Sequence, residues 1–110
     1  MVNKIVIIGN LGDMPEFSKV GQAQRDRVEF SVATKNVFKR KDGEKVEEVD
    51  WHRCEGWGGL IKICEHLKKG TQVYVEGRQR HVSYTNDAGE TKTRSYINVH
   101  EIKILSKKEA

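Results

Sequence analysis

The chain has 110 residues, enough for one domain with a modest core, and it is 36% hydrophobic and 33% charged. A net charge of +4 allows nucleic acid or another acidic surface as a partner, whereas two cysteines are too few for the disulfide framework of a small secreted protein. The apolar run at residues 5–8 is too short for a signal peptide or a membrane span, so we expect a soluble cytoplasmic protein.

The sequence begins with a predicted β-strand at residues 2–10, rich in β-branched side chains. Apolar residues fall on both faces of this strand. One face should pack on the core, and the other should be covered by something else, for example another subunit. Pro15 marks a turn, and residues 17–24 are either irregular or a second short extended piece.

A second strand is predicted at residues 27–34, where apolar and polar residues alternate as in a half-buried strand. It leads into a hairpin arm at residues 35–45, with Asp42 and Gly43 as the turn signal. The arm places Phe38 beside four cations: Lys39, Arg40, Lys41 and Lys45. A charged hairpin tip is often only a solvated loop, but the neighbouring aromatic ring favours a binding role.

The third predicted strand, residues 46–57, contains both tryptophans, six residues apart. Side chains alternate along a strand, which places four residues on one face: Trp51, Arg53, Glu55 and Trp57. Two indoles and a guanidinium on one face form a platform on which nucleobases can stack. The alternative is a core strand that buries its tryptophans, because Trp is highly buried on average.

A helix is predicted at residues 60–69, because four apolar residues share one stripe: Leu60, Ile63, Cys64 and Leu67. Gly70 is its expected terminator. Strands follow at residues 71–84 and 93–105, the second with a bulge, and a hairpin turn at residues 86–89 joins them. The last residues, 106–110, are expected to be frayed.

This order of three strands, one helix and two strands predicts an all-β fold with one short helix. It fits the OB-fold, a five-stranded Greek-key barrel with a helix between strands 3 and 4 and long β-hairpin loops. The ligand face of that architecture lies on its middle strands and on the loops that join strands 1–2 and 4–5. We expect one such domain over residues 1–105.

Four motifs in order resemble the bacterial and phage-type single-stranded DNA-binding protein (SSB) family: NKIVIIGNLGDMPE, SVAT, DWHR and LKKGTQVYVEG, at residues 3–16, 31–34, 50–53 and 67–77. The resemblance implies a homotetramer that binds and protects single-stranded DNA in replication, recombination and repair. It also implies no enzymatic activity, no cofactor, no metal and no membrane. The expected location is the cytoplasm, at the bacterial nucleoid or in a phage-infected cell.

The resemblance also implies the binding residues. The stacking positions of the family correspond to four aromatic residues: Phe38, Trp51, Trp57 and Tyr84. Its basic positions correspond to six residues: Lys4, Lys39, Lys41, Arg53, Arg80 and Lys92. It further associates the position of His52 with tetramer stability.

Three departures from the family pattern stand out. Gly59 replaces a usual lysine, and residues 80–83 are less basic than expected, so we predict fewer phosphate contacts. Residues 106–110 form a short tail without the family's acidic tip, which makes recruitment of replication and repair proteins doubtful. A truncated form and a naturally short form both explain that tail.

Three other functions were weighed against DNA protection. His52 with Cys54 and Cys64 with His66 have the composition of a zinc site, but two helical residues at i and i+2 point about 200° apart and converge poorly; Cys54 and Cys64 are expected in the core. Acidic residues show no spacing that demands catalysis, although some nucleases share the barrel. A primosomal-type adaptor that binds both DNA and replication proteins remains the alternative.

Overall fold

The computed structural model describes residues 1–106 and contains six strands and one short helix. In chain order the elements are β1 (Ile5–Leu11), β2 (Glu16–Val20), β3 (Arg25–Lys39), β4 (Lys45–Trp57), α1 (Leu60–Cys64), β5 (Gln72–Thr85) and β6 (Thr91–Ser106). No helix within residues 1–106 has the length and apolar character needed to cross a lipid bilayer.

The predicted OB-fold is confirmed. The strands follow the order β1-β5-β6-β4-β3-β2, and a further pairing of β1 with β3 closes five of them into a barrel. Every pairing is antiparallel except β4 with β6, which is parallel through Cys54 opposite Ile97. Residues 17–24 were predicted to be either irregular or extended, and they contain most of β2. This strand pairs with the edge of β3, outside the closed ring.

Closure of the barrel depends on β1 changing partners. Gly9 pairs with Val73 on β5, Asn10 pairs with both Gln72 on β5 and Ala33 on β3, and Leu11 pairs only with β3. A Cβ atom on Gly9 would lie 2.2 Å from the backbone oxygen of Ala33. Only glycine therefore lets the two backbones approach closely enough at this corner.

The core is formed by the inward faces of all five barrel strands. Alternation in β3 holds as predicted, with Val28, Phe30 and Val32 buried. The other buried apolar residues are Leu11, Cys54, Cys64, Leu67, Val73, Val75, Ile97, Val99 and Ile102. This core contains neither tryptophan, so both indoles are available for another purpose.

The helix is shorter than predicted. It ends at Cys64 rather than at residue 69, and Ile63 is 38% exposed instead of facing the core. Leu67 is nevertheless buried, because the chain beyond the helix turns back toward the end of β1, where the Gly70 amide donates to the Leu11 carbonyl. Tertiary packing therefore overrides the helical periodicity of this segment.

Both hairpin arms extend the strands further than predicted. β3 and β4 pair as far as Lys39 opposite Lys45, and β5 and β6 pair as far as Thr85 opposite Thr91. The two predicted turns are confirmed, with Gly43 and Gly89 at positive φ angles of 88° and 80°. Ser106, predicted to fray, is the last residue of β6, and the rest of the predicted tail lies outside the described residues.

Candidate nucleic-acid interface

Trp51 is the most exposed of the four aromatic residues that were predicted to stack on bases. Its surface is 62% accessible, so the core alternative is wrong for this residue. The six-membered ring of the indole lies over Gly12, just beyond β1, where an added Cβ would be 2.2 Å from Trp51 Cζ3. Because Gly12 has no side chain, the indole ring can lie directly against the backbone at this position.

Trp57 stands at the other end of the same strand and is half-buried. The guanidinium of Arg25 lies 4.7 Å from the centroid of its ring, and that of Arg27 lies 5.9 Å away. These cation–π contacts fix the orientation of the indole and cover part of it. Trp57 is therefore less accessible for stacking than Trp51.

An ion-pair cluster occupies the strand face between the tryptophans. Glu55 and Glu29 lie directly opposite each other on β4 and β3. Arg27 donates to Glu29 and, through Nε at 3.2 Å, to Glu55, and Arg53 Nη2 lies 3.9 Å from Glu29. The two guanidinium groups and the two carboxylates carry opposite charges that cancel, so the centre of the platform is close to neutral.

The charge of Arg27 is well secured in this cluster. Burial lowers the pKa of Arg27, but its hydrogen bonds to Glu55 and Glu29 outweigh that effect and raise it overall. Arg27 and Glu29 were not among the predicted site residues. Both residues occupy odd-numbered positions, which alternate along β3 with the buried Val28 and Phe30. This alternation was the sequence signal that they share the outer face with Trp51.

The β5–β6 arm forms a second wall beside this face. Tyr84 is 41% exposed and has the guanidinium of Arg94 5.3 Å from its ring centroid. A cavity of about 340 Å³ separates this wall, which includes Val82 and Tyr96, from the ion-pair cluster. The structure therefore brings Tyr84, but also the unpredicted Arg94, to the same concave surface as Arg53.

Phe38 occupies a different position. It lies within β3, opposite Val46, and not in the loop, and it is 41% exposed. Strand alternation places Phe38 on the same face of β3 as Phe30 and Val32. Trp51 pairs with Ala33, which belongs to the other face. By alternation, Phe38 and Trp51 therefore belong to opposite faces of the β3–β4 pair.

The predicted cations are spread over several elements. Lys39 and Lys41 belong to the β3–β4 arm, while Arg80 and Lys92 lie opposite Tyr96 and Tyr84 on the β5–β6 arm. Lys4 is separate from these, because it precedes β1 and its Nζ lies 2.9 Å from a carboxylate oxygen of Glu76. A hydrogen bond to Glu76 raises the pKa of Lys4, and the same bond lowers the pKa of Glu76.

Comparison with known proteins agrees with this architecture. A family model described as "Single-strand binding protein family" matches residues 2–105. The chain belongs to this SSB family. The resemblance read from the four sequence motifs is thereby confirmed.

Several bacterial relatives resemble the chain over almost its full length. Single-stranded DNA-binding protein 1 of Xylella fastidiosa (strain 9a5c) is 41% identical, with 98% of this chain and 80% of that protein covered. The protein of the same name from Chlorobaculum tepidum is 38% identical, with 99% and 68% covered. The single-stranded DNA-binding protein of Xanthomonas axonopodis pv. citri is 39% identical, with 94% of this chain and 58% of that protein covered. This SSB chain therefore spans only part of its relatives' lengths.

Solved structures share the barrel. The Plasmodium falciparum SSB in complex with ssDNA superposes with a TM-score of 0.84 at 26% identity, covering 96% of both chains. A deletion mutant of the single-stranded DNA-binding protein from Thermus aquaticus gives a TM-score of 0.82 at 24% identity, covering 96% of this chain and 51% of that one, and supports the fold alone.

Three of the four residues considered as a zinc site, His52, Cys54 and Cys64, are engaged elsewhere in this SSB chain. His52 Nε2 is 2.9 Å from the hydroxyl of Thr34, and Cys54 and Cys64 are both buried. Burial raises the pKa of Cys54 to about 12 and that of Cys64 to about 11, so both thiols stay protonated. Within residues 1–106, no group of three or more His, Cys, Asp and Glu side chains could hold a metal ion.

A second exposed surface lies on the outer side of β1. Val6 is 47% and Ile8 is 53% exposed, although both belong to a strand that was predicted to need two covers. Val49 on β4 is also exposed and lines the same shallow groove as Ile8. This apolar face, which we call the β1 face, is bordered by Lys4, whose ion-pair partner Glu76 lies opposite Val6 on β5.

Proposed function

We propose that this protein binds and protects single-stranded DNA, with little dependence on sequence, in replication, recombination and repair. The observation that carries the proposal is the exposed indole of Trp51, which lies over Gly12 on the same face of β4 as Arg53. An exposed aromatic ring held in a fixed orientation is suited to stacking, and every nucleobase has a π-face.

In this proposal the aromatic residues supply most of the base contacts. Stacking of one base on an aromatic side chain contributes about 1–3 kcal/mol and tolerates any sequence. Trp51 and Tyr84 provide the most exposed rings on the two walls, Trp57 provides a partly covered one, and Phe38 extends the path along the β3–β4 arm.

Cations on the arms neutralise the phosphates. Lys39, Lys41, Arg80 and Lys92 have this role, with Arg53 between the tryptophans. Each neutralised phosphate releases bound counterions, so affinity falls as salt increases. Because the ion-pair cluster between the tryptophans is close to neutral, we expect a shallower salt dependence than the +4 net charge suggests.

The β1 face supports assembly of several copies into a homo-oligomer, which we propose is the homotetramer that the SSB resemblance implies. Burial of exposed apolar side chains such as Val6 and Ile8 contributes roughly 25 cal/mol for each Å² removed from water. Linked grooves then bind one strand more tightly than any single groove, because later contacts are intramolecular. No catalytic step or cofactor is part of this function, and its place is the cytoplasm, at the nucleoid or in a phage-infected cell.

The test is titration of the intact protein with thymidine oligonucleotides at low salt, followed by tryptophan fluorescence. We expect strong quenching, because Trp51 is exposed and stacks on the bases. A duplex of equal length serves as the control and should quench weakly. Absence of quenching and of binding by the single strand would contradict the proposal, and capture of a primosomal helicase or primase instead would favour the adaptor alternative.

A further inference from the structure

The cavity between the ion-pair cluster and the β5–β6 arm has the composition of a site for one nucleobase. Tyr84 and Val82 on its outer wall are 41% and 39% exposed, so the cavity is reached from the surface on which DNA is proposed to bind. Its volume of about 340 Å³ accommodates a planar base beside the Tyr84 ring. Arg94 lines the cavity as well, with its guanidinium 5.3 Å from the centroid of that ring.

Glu55 is the unusual group in this cavity. It is only 7% exposed, and its charge would repel the phosphates of any bound strand. An ionised carboxylate has two oxygens with about four acceptor sites, and the ion pair with Arg27 Nε at 3.2 Å uses one of them, on Oε1. Glu55 therefore has acceptor capacity left for hydrogen-bond donors that enter the cavity.

A phosphate is a poor occupant for the same site. Arg27 is already paired with both carboxylates, and Arg53 lies 3.9 Å from Glu29. Arg94 also lines the cavity, so the lining carries three positive and two negative charges, and most of the positive charge is already neutralised by the two carboxylates. A neutral ligand with both donors and acceptors matches it better.

We propose that this cavity is a nucleobase pocket that prefers guanine. The Watson–Crick edge of guanine presents the N1–H and N2–H donors side by side, which a carboxylate accepts together, and the neighbouring O6 accepts from a guanidinium. Glu55 supplies the carboxylate next to the Tyr84 ring, and Arg27 supplies the guanidinium, because its ion pairs use Nε and Nη2 and leave the Nη1 donors for O6. Thymine has one donor between two carbonyl oxygens, which would face the carboxylate, and adenine and cytosine each offer one amino group.

The proposal deepens the proposed function and rests on it, since the base must belong to a bound single strand. Stacking remains tolerant of sequence at Trp51 and elsewhere, and the pocket adds one position at which guanine is preferred. Affinity for a strand then depends on whether a guanine falls in the register that reaches the pocket.

The experiment uses the intact protein and thymidine oligonucleotides of about 16 nucleotides, the upper site size for one OB-fold. A single dG is placed at successive positions, with dA and dC series as references. We expect at least one position at which dG binds about fivefold or more tighter than dA, dC or dT. Binding of thymidine with no dG preference at any position would overturn the pocket but not the proposed function, whereas failure to bind thymidine would overturn the proposed function itself.

Two variants assign the preference. E55Q keeps the size of the side chain but replaces one acceptor by a donor, so the dG preference should be lost while thymidine still binds. E65Q is the matched control: it removes the same charge at an exposed residue that follows α1 and lines neither the cavity nor the groove of the β1 face. A dG preference that survives in E55Q would show that Glu55 does not accept hydrogen bonds from guanine. Equal effects of both variants on all oligonucleotides would show that Glu55 acts only through its charge, and either result would overturn the assignment.

A third variant keeps the test decisive if E55Q fails to fold. V82F fills the cavity from its exposed wall without changing any charge, and Val82 is accessible enough for the fold to tolerate the larger ring. Loss of the dG preference in V82F supports the pocket. An unchanged preference in V82F would overturn it.

Discussion

Trp51 and Gly12 fit together: the indole covers the glycine so closely that a Cβ atom there would be 2.2 Å from Cζ3 of the ring. The clash involves the far end of a side chain that is 62% exposed, so the ring can move away at little cost. Gly12 therefore determines where the indole rests, not whether the protein folds.

This relationship predicts the effect of G12A. We expect the free energy of unfolding to change by less than about 1 kcal/mol, as for other surface substitutions, while affinity for single-stranded DNA falls and the fluorescence of Trp51 shifts. Denaturant unfolding and DNA titration measure the two quantities. G59A is the control, because a Cβ at Gly59 meets nothing within 4 Å. Equal DNA affinity in both variants would show that Gly12 does not control the position of the indole for DNA binding.

Replacement of Trp51 by alanine tests the platform directly. Because the indole is largely exposed, we expect W51A to fold normally and to lose about 1–3 kcal/mol of binding free energy for thymidine oligonucleotides. Calorimetric titration and thermal unfolding separate the two effects. Loss of binding through unfolding would instead indicate a structural role.

The cations differ in their expected contribution to the salt dependence. Lys92 lies opposite Tyr84, so K92A should reduce the slope of log affinity against log salt by about 0.7, the value for one phosphate on a single strand. Lys4 is engaged by Glu76 at 2.9 Å, so K4A should change the slope less. Affinities over a salt series measure both slopes. A larger effect of K4A would show that Lys4 leaves Glu76 to bind phosphate.

The β1 face predicts an effect on assembly. I8K places a charge on an apolar residue that is 53% exposed, so the variant should fold but form smaller particles than the unmodified protein. Light scattering gives the mass in solution. I63K is the control, because Ile63 is 38% exposed on the helix, away from this face. An unchanged mass in I8K would exclude β1 from the subunit contact.

Buried thiols predict a dependence on pH. The pKa of Cys54 is raised from 9.0 to about 12 and that of Cys64 from 9.0 to about 11. The stability that these protonated thiols contribute is therefore complete below pH 9 and is lost as the pH rises through the native values. Denaturant unfolding at pH 8 and at pH 11 measures this loss, and slow reaction of the native protein with a thiol reagent at pH 8, against fast reaction of the denatured chain, is the expected sign of burial. Fast reaction of the native protein would show that the core opens readily.

Local patterns predicted much of the fold. Alternation in residues 27–34 and 46–57 and the turn signals at Gly43 and Gly89 each reflect interactions between residues near one another in sequence. The helix was predicted too long because Leu67 is buried by contacts that the periodicity of the segment does not contain. Partner changes such as that of β1 at Gly9 depend on residues far away along the chain.

For the binding surface, the sequence by itself determined that Trp51, Arg53, Glu55 and Trp57 share one face, because alternation is a local property of a strand. Only the tertiary structure decided what lies opposite that face. Pairing of β4 with β3 added Arg27 and Glu29, and closure of the barrel brought the β5–β6 arm against them. The charge balance and the cavity arise from these long-range pairings, so no single segment encodes them.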